Sequence, residues 1–109
     1  MKVSGALRMH SARLTLFTRA NCSLCETAKT NIAKVQNKRP IDYTEIDVMA
    51  KGQEHWKGLY ELDTPVVHVQ RVFYTYSKPD IVSEAKKLMH RFSSEEIEIL
   101  VDEAEAGLT

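Results

Sequence analysis

The sequence of 109 residues has no long apolar run and only two cysteines. None of its hydrophobic stretches approaches the roughly 18 apolar residues that a membrane-spanning helix needs, so we expect no membrane partner. Two cysteines are too few for a secreted disulfide framework, and the spacing Cys22-Ser-Leu-Cys25 favours an intracellular redox or metal-binding role. The formal net charge is zero, and the lysines and arginines are dispersed along the chain. We therefore expect no nucleic-acid partner.

The first twelve residues lack the continuous apolar centre of a secretory signal. They are basic, acid-free and contain two serines, a composition that is typical of mitochondrial presequences. We expect residues 1–12 to form a flexible arm ahead of a single domain over residues 13–109. The expected location is cytoplasmic, with the mitochondrion as the alternative.

The Cys-x-x-Cys motif lies between a predicted strand and a predicted helix. Leu14 to Thr18 is short and apolar, which predicts an interior strand. Cys22 would then stand at the N-terminus of a helix, where unpaired N–H groups and the helix dipole favour a thiolate. Cys25, one turn further on, would be close enough to resolve a mixed disulfide. The predicted helix buries one stripe, formed by Leu24, Ala28, Ile32 and Val35.

The remaining pattern predicts an alternation of strands and helices. Ile41 to Val48 is a predicted strand, and Gly52 to Tyr60 is a predicted short helix. Val66 to Tyr76 is rich in β-branched and aromatic residues, and we expect a hairpin there that turns near Gln70 and Arg71.

A third helix is predicted from Ser77-Lys-Pro-Asp80 onward, because proline suits a first turn. Its apolar residues recur at helical spacing: Ile81, Ala85, Leu88, Met89 and Phe92. The sequence Ser93-Ser-Glu-Glu96 is a capping box that begins a last helix. The predicted order is βαβαββαα, a mixed four-stranded sheet covered by helices, which belongs to the α/β class.

Several kinds of chemistry are open to the two cysteines. The first is dithiol–disulfide exchange. The second is zinc binding, for which the other ligands would come from His10, His55, His68 or His90, although none of these stands at zinc-knuckle spacing. The third is a core pair without chemistry, and the fourth is an iron–sulfur cluster shared between two chains.

Four features together resemble the thioredoxin superfamily, and within it the glutaredoxins, over about residues 13 to 104. Leu14-Thr-Leu-Phe-Thr-Arg19 resembles the first strand and its terminal basic residue, and Cys22-Ser-Leu-Cys25 stands in the place of Cys-Pro-Tyr-Cys. Tyr60-Glu-Leu-Asp-Thr-Pro-Val66 resembles the family's tyrosine and Val-Pro-Val segment, and the element order also matches. The chain is most similar to small glutaredoxin-like proteins with a Cys-x-Leu-Cys motif and an extra C-terminal helix. The resemblance implies a thioredoxin fold of βαβαββα order plus that helix, and a cis Pro65.

The resemblance also implies a function. It is that of a thiol–disulfide oxidoreductase in which Cys22 is the nucleophile and Cys25 the resolving cysteine. Arg19 would add positive potential, while Thr64 and Pro65 would line the groove for substrate backbone or glutathione. We expect protein thiols or disulfides as substrates, glutathione as a co-substrate, no tightly bound cofactor, no metal and a monomer. The alternative is a non-catalytic adaptor of the same fold, or a metal or iron–sulfur module.

The sequence departs from the family where glutathione binds. Glutaredoxins usually carry Gly-Gly and an acidic residue after the last strand, and the stretch that we align there, Tyr76 to Asp80, has no glycine. Pro79 would remove one N–H donor, so weak glutathione activity is expected. Trp56 and Tyr60 are interpreted as core and rim residues, and His68 as a hydrogen-bonded structural histidine.

Overall fold

The strand β1 (His10–Thr18) lies inside the sheet and organises it. A computed structural model describes residues 10–74, 79–81 and 84–107. β1 pairs in parallel with β2 (Asp42–Asp47) and antiparallel with β3 (Val66–Tyr74). The strand is longer than the predicted one, so residues 10–12 of the expected arm belong to it. Residues 1–9 of that arm lie outside the described residues.

Helix α1 (Ser23–Lys38) joins β1 to β2 and covers one face of the sheet. Its buried residues follow the helical spacing: Cys25, Ala28, Ile32 and Val35. The helix ends at Lys38, ahead of Pro40, because proline disfavours a helical conformation in the residue before it. The first cluster of core residues lies between α1 and alternate, fully buried residues of β1: Ala12, Leu14 and Leu16.

The short helix α2 (Glu54–Tyr60) lies against the opposite face of the sheet. Phe17 points to this face because successive side chains of a strand alternate. It packs with Val48, Tyr60 and Val66 in a second buried cluster, against which Trp56 also packs. The sheet is therefore covered on both faces, as the α/β class requires.

β3 is one nine-residue strand, so the hairpin predicted near Gln70 and Arg71 is wrong. Its pairing with β1 runs without interruption from Val66–Phe17 to Phe73–His10. The prediction failed because β-branched and aromatic residues favour a strand without setting its length. The length is set by a partner strand, and β1 is long enough to pair with β3 from Val66 to Phe73.

The third helix predicted from Ser77 to Phe92 is also wrong for the part of this segment that the structure describes. Pro79–Ile81 forms strand β4, and Lys86–Met89 forms strand β5. Residues 75–78 and 82–83, which include Ser77 and Lys78, lie outside the described residues. β4 pairs with Val72 to Tyr74 and β5 with Val66 to Val69, so both lie on the same edge of β3. Pairing there satisfies backbone groups that a helix would have left open.

The last helix, α3 (Ser94–Glu105), begins at the predicted capping box. The Ser93 hydroxyl accepts a bond from the Glu96 N–H, and the Glu96 carboxylate accepts one from the Ser93 N–H. The helix packs Ile97, Val101 and Ala104 into the core beside α1. With β4 and β5 sharing one edge position of the sheet, the order of elements matches the expected βαβαββα thioredoxin fold with its mixed four-stranded sheet. α3 is the last helix of that order, so the described residues contain no additional C-terminal helix beyond it. In the described ranges, no helix is long and apolar enough to cross a membrane.

Candidate active site

Cys22 and Cys25 lie at the start of α1, where β1 has just ended. Asn21 turns the chain with φ of +59°, a left-handed conformation that asparagine tolerates. Cys22 is the N-cap residue of α1, and its sulfur accepts a hydrogen bond from the Cys25 N–H at 3.2 Å. The two cysteines form a disulfide, with their Cα atoms 5.2 Å apart. The motif is thus joined within one helical turn.

The two sulfurs differ in access. Cys22 is half-buried, whereas Cys25 is completely buried beneath the helix. An external thiol or disulfide can therefore reach Cys22, while Cys25 faces only its partner and the core. A sulfur at the N-cap also meets the unpaired N–H groups of the first turn, which stabilise a thiolate.

Thr64 lies next to Cys22, although it is 42 positions away in the sequence. The Thr64 Oγ1 atom is 3.9 Å from the Cys22 sulfur, close enough for a weak hydrogen bond to sulfur. The Thr64–Pro65 peptide bond is cis, the isomer that the resemblance implies. Residues 61–65, which join α2 to β3, are called the Thr64 loop below.

Arg19 reaches the Thr64 loop. Its guanidinium donates a hydrogen bond to the carbonyl oxygen of Glu61 at 2.8 Å. This contact ties the loop to the end of β1, three residues before Cys22. The structure thus brings Arg19, Thr64, Pro65 and both cysteines to one end of the sheet.

Asp63 and His90 also lie beside this site, where the sequence suggested His90 only as a possible zinc ligand and did not suggest Asp63. The His90 N–H donates to the Pro65 carbonyl at 2.8 Å, and the His90 Nε2 atom lies 3.4 Å from Asp63 Oδ1. His90 has φ of +66°. No pattern in the sequence signals this position, because it depends on β5 pairing beside Pro65.

The alignment of Tyr76 to Asp80 with the glutathione-binding glycines is therefore wrong in its described part. Pro79 pairs with Tyr74, at the far end of β3 from Pro65. At about 3.3 Å per residue, that end of β3 is roughly 25 Å from Val66. The segment that follows the strand beside Pro65 is His90-Arg91. It also lacks glycine, so the departure from the family remains but lies at different residues.

An open groove of about 340 Å³ lies between the first turns of α1 and the ends of β1 and β2. The Lys29 ammonium in this groove pairs with Glu26 at 3.3 Å and with Glu45 at 3.9 Å. The charged side chains that line the groove are thus partly paired with one another. Among the residues that the structure describes, no group of three or more His, Cys, Asp or Glu side chains is arranged to hold a metal ion.

His68 lies in the aromatic cluster on the α2 face. Its Nε2 atom is 2.7 Å from the Tyr60 hydroxyl, and its ring lies 4.6 Å from that of Phe17 and 5.8 Å from that of Trp56. Burial, and secondarily the positive charge of Lys87, lowers the pKa of His68 to about 4. His68 is therefore neutral at pH 7 and has a structural role, and Tyr60 and Trp56 form part of the same core.

Comparison with solved structures supports the fold. The chain is similar to thioredoxin O2 from Arabidopsis thaliana in its oxidized state, with 14% identity, a TM-score of 0.57, and 87% of this chain and 76% of that chain covered. It is similar to protein Ne2328 from Nitrosomonas europaea, with 24% identity, a TM-score of 0.58 and coverage of 84% and 92%. A thioredoxin from Thermus thermophilus matches with 12% identity, a TM-score of 0.53 and coverage of 85% and 72%. At these identities the likeness concerns the fold alone.

A family profile covers most of the chain. The profile described as Glutaredoxin-like domain (DUF836) matches residues 13–101, which run from within β1 through the two cysteines and the Thr64 loop into α3. The motif, the fold and the profile agree, and the chain belongs to the glutaredoxin-like domain family.

Proposed function

We propose that this chain is a dithiol oxidoreductase that reduces protein disulfides or glutathione mixed disulfides. The observation that carries the proposal is the difference between its two sulfurs. Cys22 is accessible at a helix N-cap beside Thr64, while Cys25 is buried one turn behind it. This asymmetry fits a nucleophile that meets the substrate and a resolving thiol that does not.

The reaction begins from the reduced chain. The Cys22 thiolate attacks one sulfur of a substrate disulfide, a mixed disulfide forms, and the other substrate sulfur leaves as a thiolate that takes up a proton. Cys25 loses its proton and attacks the Cys22 sulfur, which breaks the mixed disulfide and releases the second substrate thiol. Two electrons pass to the substrate, and the chain is left with the Cys22–Cys25 disulfide. An external dithiol, or two molecules of glutathione, would reduce it again.

The residues around Cys22 would assist this exchange. The Thr64 hydroxyl would donate to the thiolate, and the backbone next to Pro65 would meet an extended substrate segment. Arg19 is held by the Glu61 carbonyl, so its charge would act on the site from a fixed position. The proposed partners are thiol or disulfide proteins, bound by a monomer without a resident cofactor or metal.

Glutathione is proposed as a weak co-substrate. Arg19 and Thr64 would supply one part of its pocket. The part that glycines usually build would fall at His90 and Arg91, where side chains limit the close approach of a ligand to the backbone. Losing one or two hydrogen bonds to a charged group costs about 1.5–3 kcal/mol each, which lowers affinity by tenfold or more. Activity in a glutathione-coupled disulfide assay should therefore be below that of an ordinary dithiol glutaredoxin measured alongside.

Turnover of a protein disulfide such as that of insulin, with dithiothreitol as the reductant, tests the main proposal. Cys22→Ser should abolish turnover, and Cys25→Ser should accumulate mixed disulfides that non-reducing electrophoresis detects. Ser23→Ala, which changes an exposed residue between the two cysteines, is the matched control and should retain turnover. Absence of a two-electron transition in a redox titration, together with stoichiometric zinc or iron by elemental analysis, would favour a metal-binding module instead.

A further inference from the structure

His90 has a left-handed backbone conformation, which residues other than glycine adopt uncommonly. Its φ of +66° lies in the left-handed region, where a Cβ atom meets the following carbonyl oxygen. Histidine is among the residues that tolerate this region best, so the conformation alone assigns no role. Contacts with neighbouring residues hold His90 in this conformation.

Two contacts hold His90, and they fall on either side of Thr64. Its N–H donates to the Pro65 carbonyl at 2.8 Å, and its Nε2 atom is 3.4 Å from Asp63 Oδ1. From the opposite side, Arg19 donates to the Glu61 carbonyl at 2.8 Å. The Thr64 loop is thus held at three points, and Thr64, whose hydroxyl is 3.9 Å from the Cys22 sulfur, lies between two of them.

We propose that His90, through its hydrogen bond to Asp63, is a positioning residue that keeps the Thr64 hydroxyl within reach of the Cys22 sulfur. This proposal rests on the proposed redox function of Cys22. After reduction, the Cys22 thiolate is a charged acceptor, and a hydroxyl donor beside it favours the thiolate over the thiol. Loosening the Thr64 loop would weaken that donor without touching either cysteine.

Because this contact is exposed, its effect on the reactivity of Cys22 can be measured without a large change in the stability of the fold. The side chains of His90 and Asp63 are 53% and 42% exposed, and exposed pairs of this kind contribute little to the stability of a fold. His90→Gly also suits the left-handed backbone, since glycine has no Cβ. This variant is therefore expected to fold with a melting temperature no lower than that of the parent.

The test measures the alkylation rate of Cys22 by iodoacetamide against pH, in full-length chains that carry Cys25→Ser. In the His90→Gly and Asp63→Ala variants, each of which removes one partner of the hydrogen bond, the rate at pH 6 should fall about two- to fivefold, which is the range of coupling expected for an exposed pair. The rate at high pH, where every Cys22 is ionised, should stay the same. The double variant should be no slower than the slower single variant, because both remove one interaction.

The His90→Gln variant tests whether the His90 side chain acts through its hydrogen bond rather than through a charge. Glutamine keeps an N–H donor at a similar reach but carries no ionisable ring, so it should retain the parent rate. The proposal is overturned if His90→Gly alkylates like the parent, if the two single effects multiply in the double variant, or if His90→Gln is as slow as His90→Gly. If Cys22 of the parent has a lowered pKa but the alkylation rate of the His90→Gly variant equals that of the parent, only this inference is overturned. A parent whose Cys22 ionises at or above the reference pKa of about 8.5 overturns it together with the proposed function.

Discussion

Acid should destabilise this protein through His68. The ring lies in the aromatic cluster beside Phe17, Trp56 and Tyr60, and only 8% of the residue is exposed. Burial and the nearby Lys87 charge both disfavour the imidazolium, and they lower the pKa of His68 from 6.5 to about 4. Protonation of this ring is thus easier in the unfolded chain than in the folded one.

The direction and the size of this effect on stability follow from the linkage between proton binding and folding. Well above pH 6.5, His68 is neutral in both states and contributes no pH dependence. As the pH falls from about 6.5 to about 4, the unfolded chain binds a proton that the folded chain does not, so the free energy of unfolding decreases. A pKa difference of this size at about 1.4 kcal/mol per unit corresponds to a loss of about 3 kcal/mol, reached as the pH falls through the folded pKa.

Urea unfolding at pH 7.5 and pH 4.5 measures this loss, with the fluorescence of Trp56, the single tryptophan, as the probe. His68→Gln keeps a hydrogen-bonding partner for Tyr60 and has no titrating ring. Its loss of stability between the two pH values should be about 2–3 kcal/mol smaller than that of the wild type. His55→Gln changes an exposed histidine and should behave like the wild type.

Differences between the two pH values cancel any packing cost of His68→Gln, which is present at both. Carboxylates also titrate over this range, but they are common to all three proteins and cancel in the same way. An equal loss of stability in His68→Gln and the wild type would refute the argument, because the buried ring would then carry no pH-dependent cost.

Three further predictions concern the scaffold. Ile32→Ala should lower the free energy of unfolding by about 2–5 kcal/mol in urea denaturation, because Ile32 is fully buried. Ile99→Ala, at an exposed site, should change the free energy of unfolding by no more than about 0.5 kcal/mol. Equal effects of the two substitutions would contradict the assigned core. Ser93→Ala removes the N-cap acceptor of α3 and should cost about 1 kcal/mol in the same assay, and an unchanged midpoint would mean that the cap adds nothing. Arg39→Ala removes the ion pairs of the α1 C-cap residue with Asp102 and Glu105 on α3 and should cost about 1 kcal/mol or less, with a smaller difference in 1 M salt. A loss that does not respond to salt would point to packing by the Arg39 stem.

Local features of the chain were predictable from the sequence. The order of an apolar strand, Cys22 and a helix with one buried stripe follows from short-range patterns, and the structure confirms it. The capping box at Ser93 and Glu96 lies within four residues, and it marks the start of α3 correctly. The resemblance drawn from the Cys22 motif and the Thr64-Pro65 segment led to the right fold. Signals of this kind are readable because every group that they need is close in sequence.

The course of the chain after Pro65 was decided by tertiary contacts. β3 continues through Gln70 and Arg71 because β1 offers a partner along its whole length. The segment with helical spacing from Ile81 to Phe92 contains the end of β4 and the whole of β5 because the edge of β3 provides backbone hydrogen bonds that outweigh a local periodicity. His90 reaches the candidate site for the same reason.

The sequence by itself thus determined the elements that precede the Thr64 loop, the last helix, the motif and the family, since helix caps, apolar stripes and the Cys-x-x-Cys spacing are local. Only the tertiary structure decided which residues surround Cys22. Thr64 approaches its sulfur across the sheet, Arg19 binds the loop that carries Thr64, and His90 closes that loop from the far edge. These contacts depend on strand pairing between distant segments, and pairing is chosen by the backbone hydrogen bonds and burial of the whole sheet rather than by any one stretch of residues.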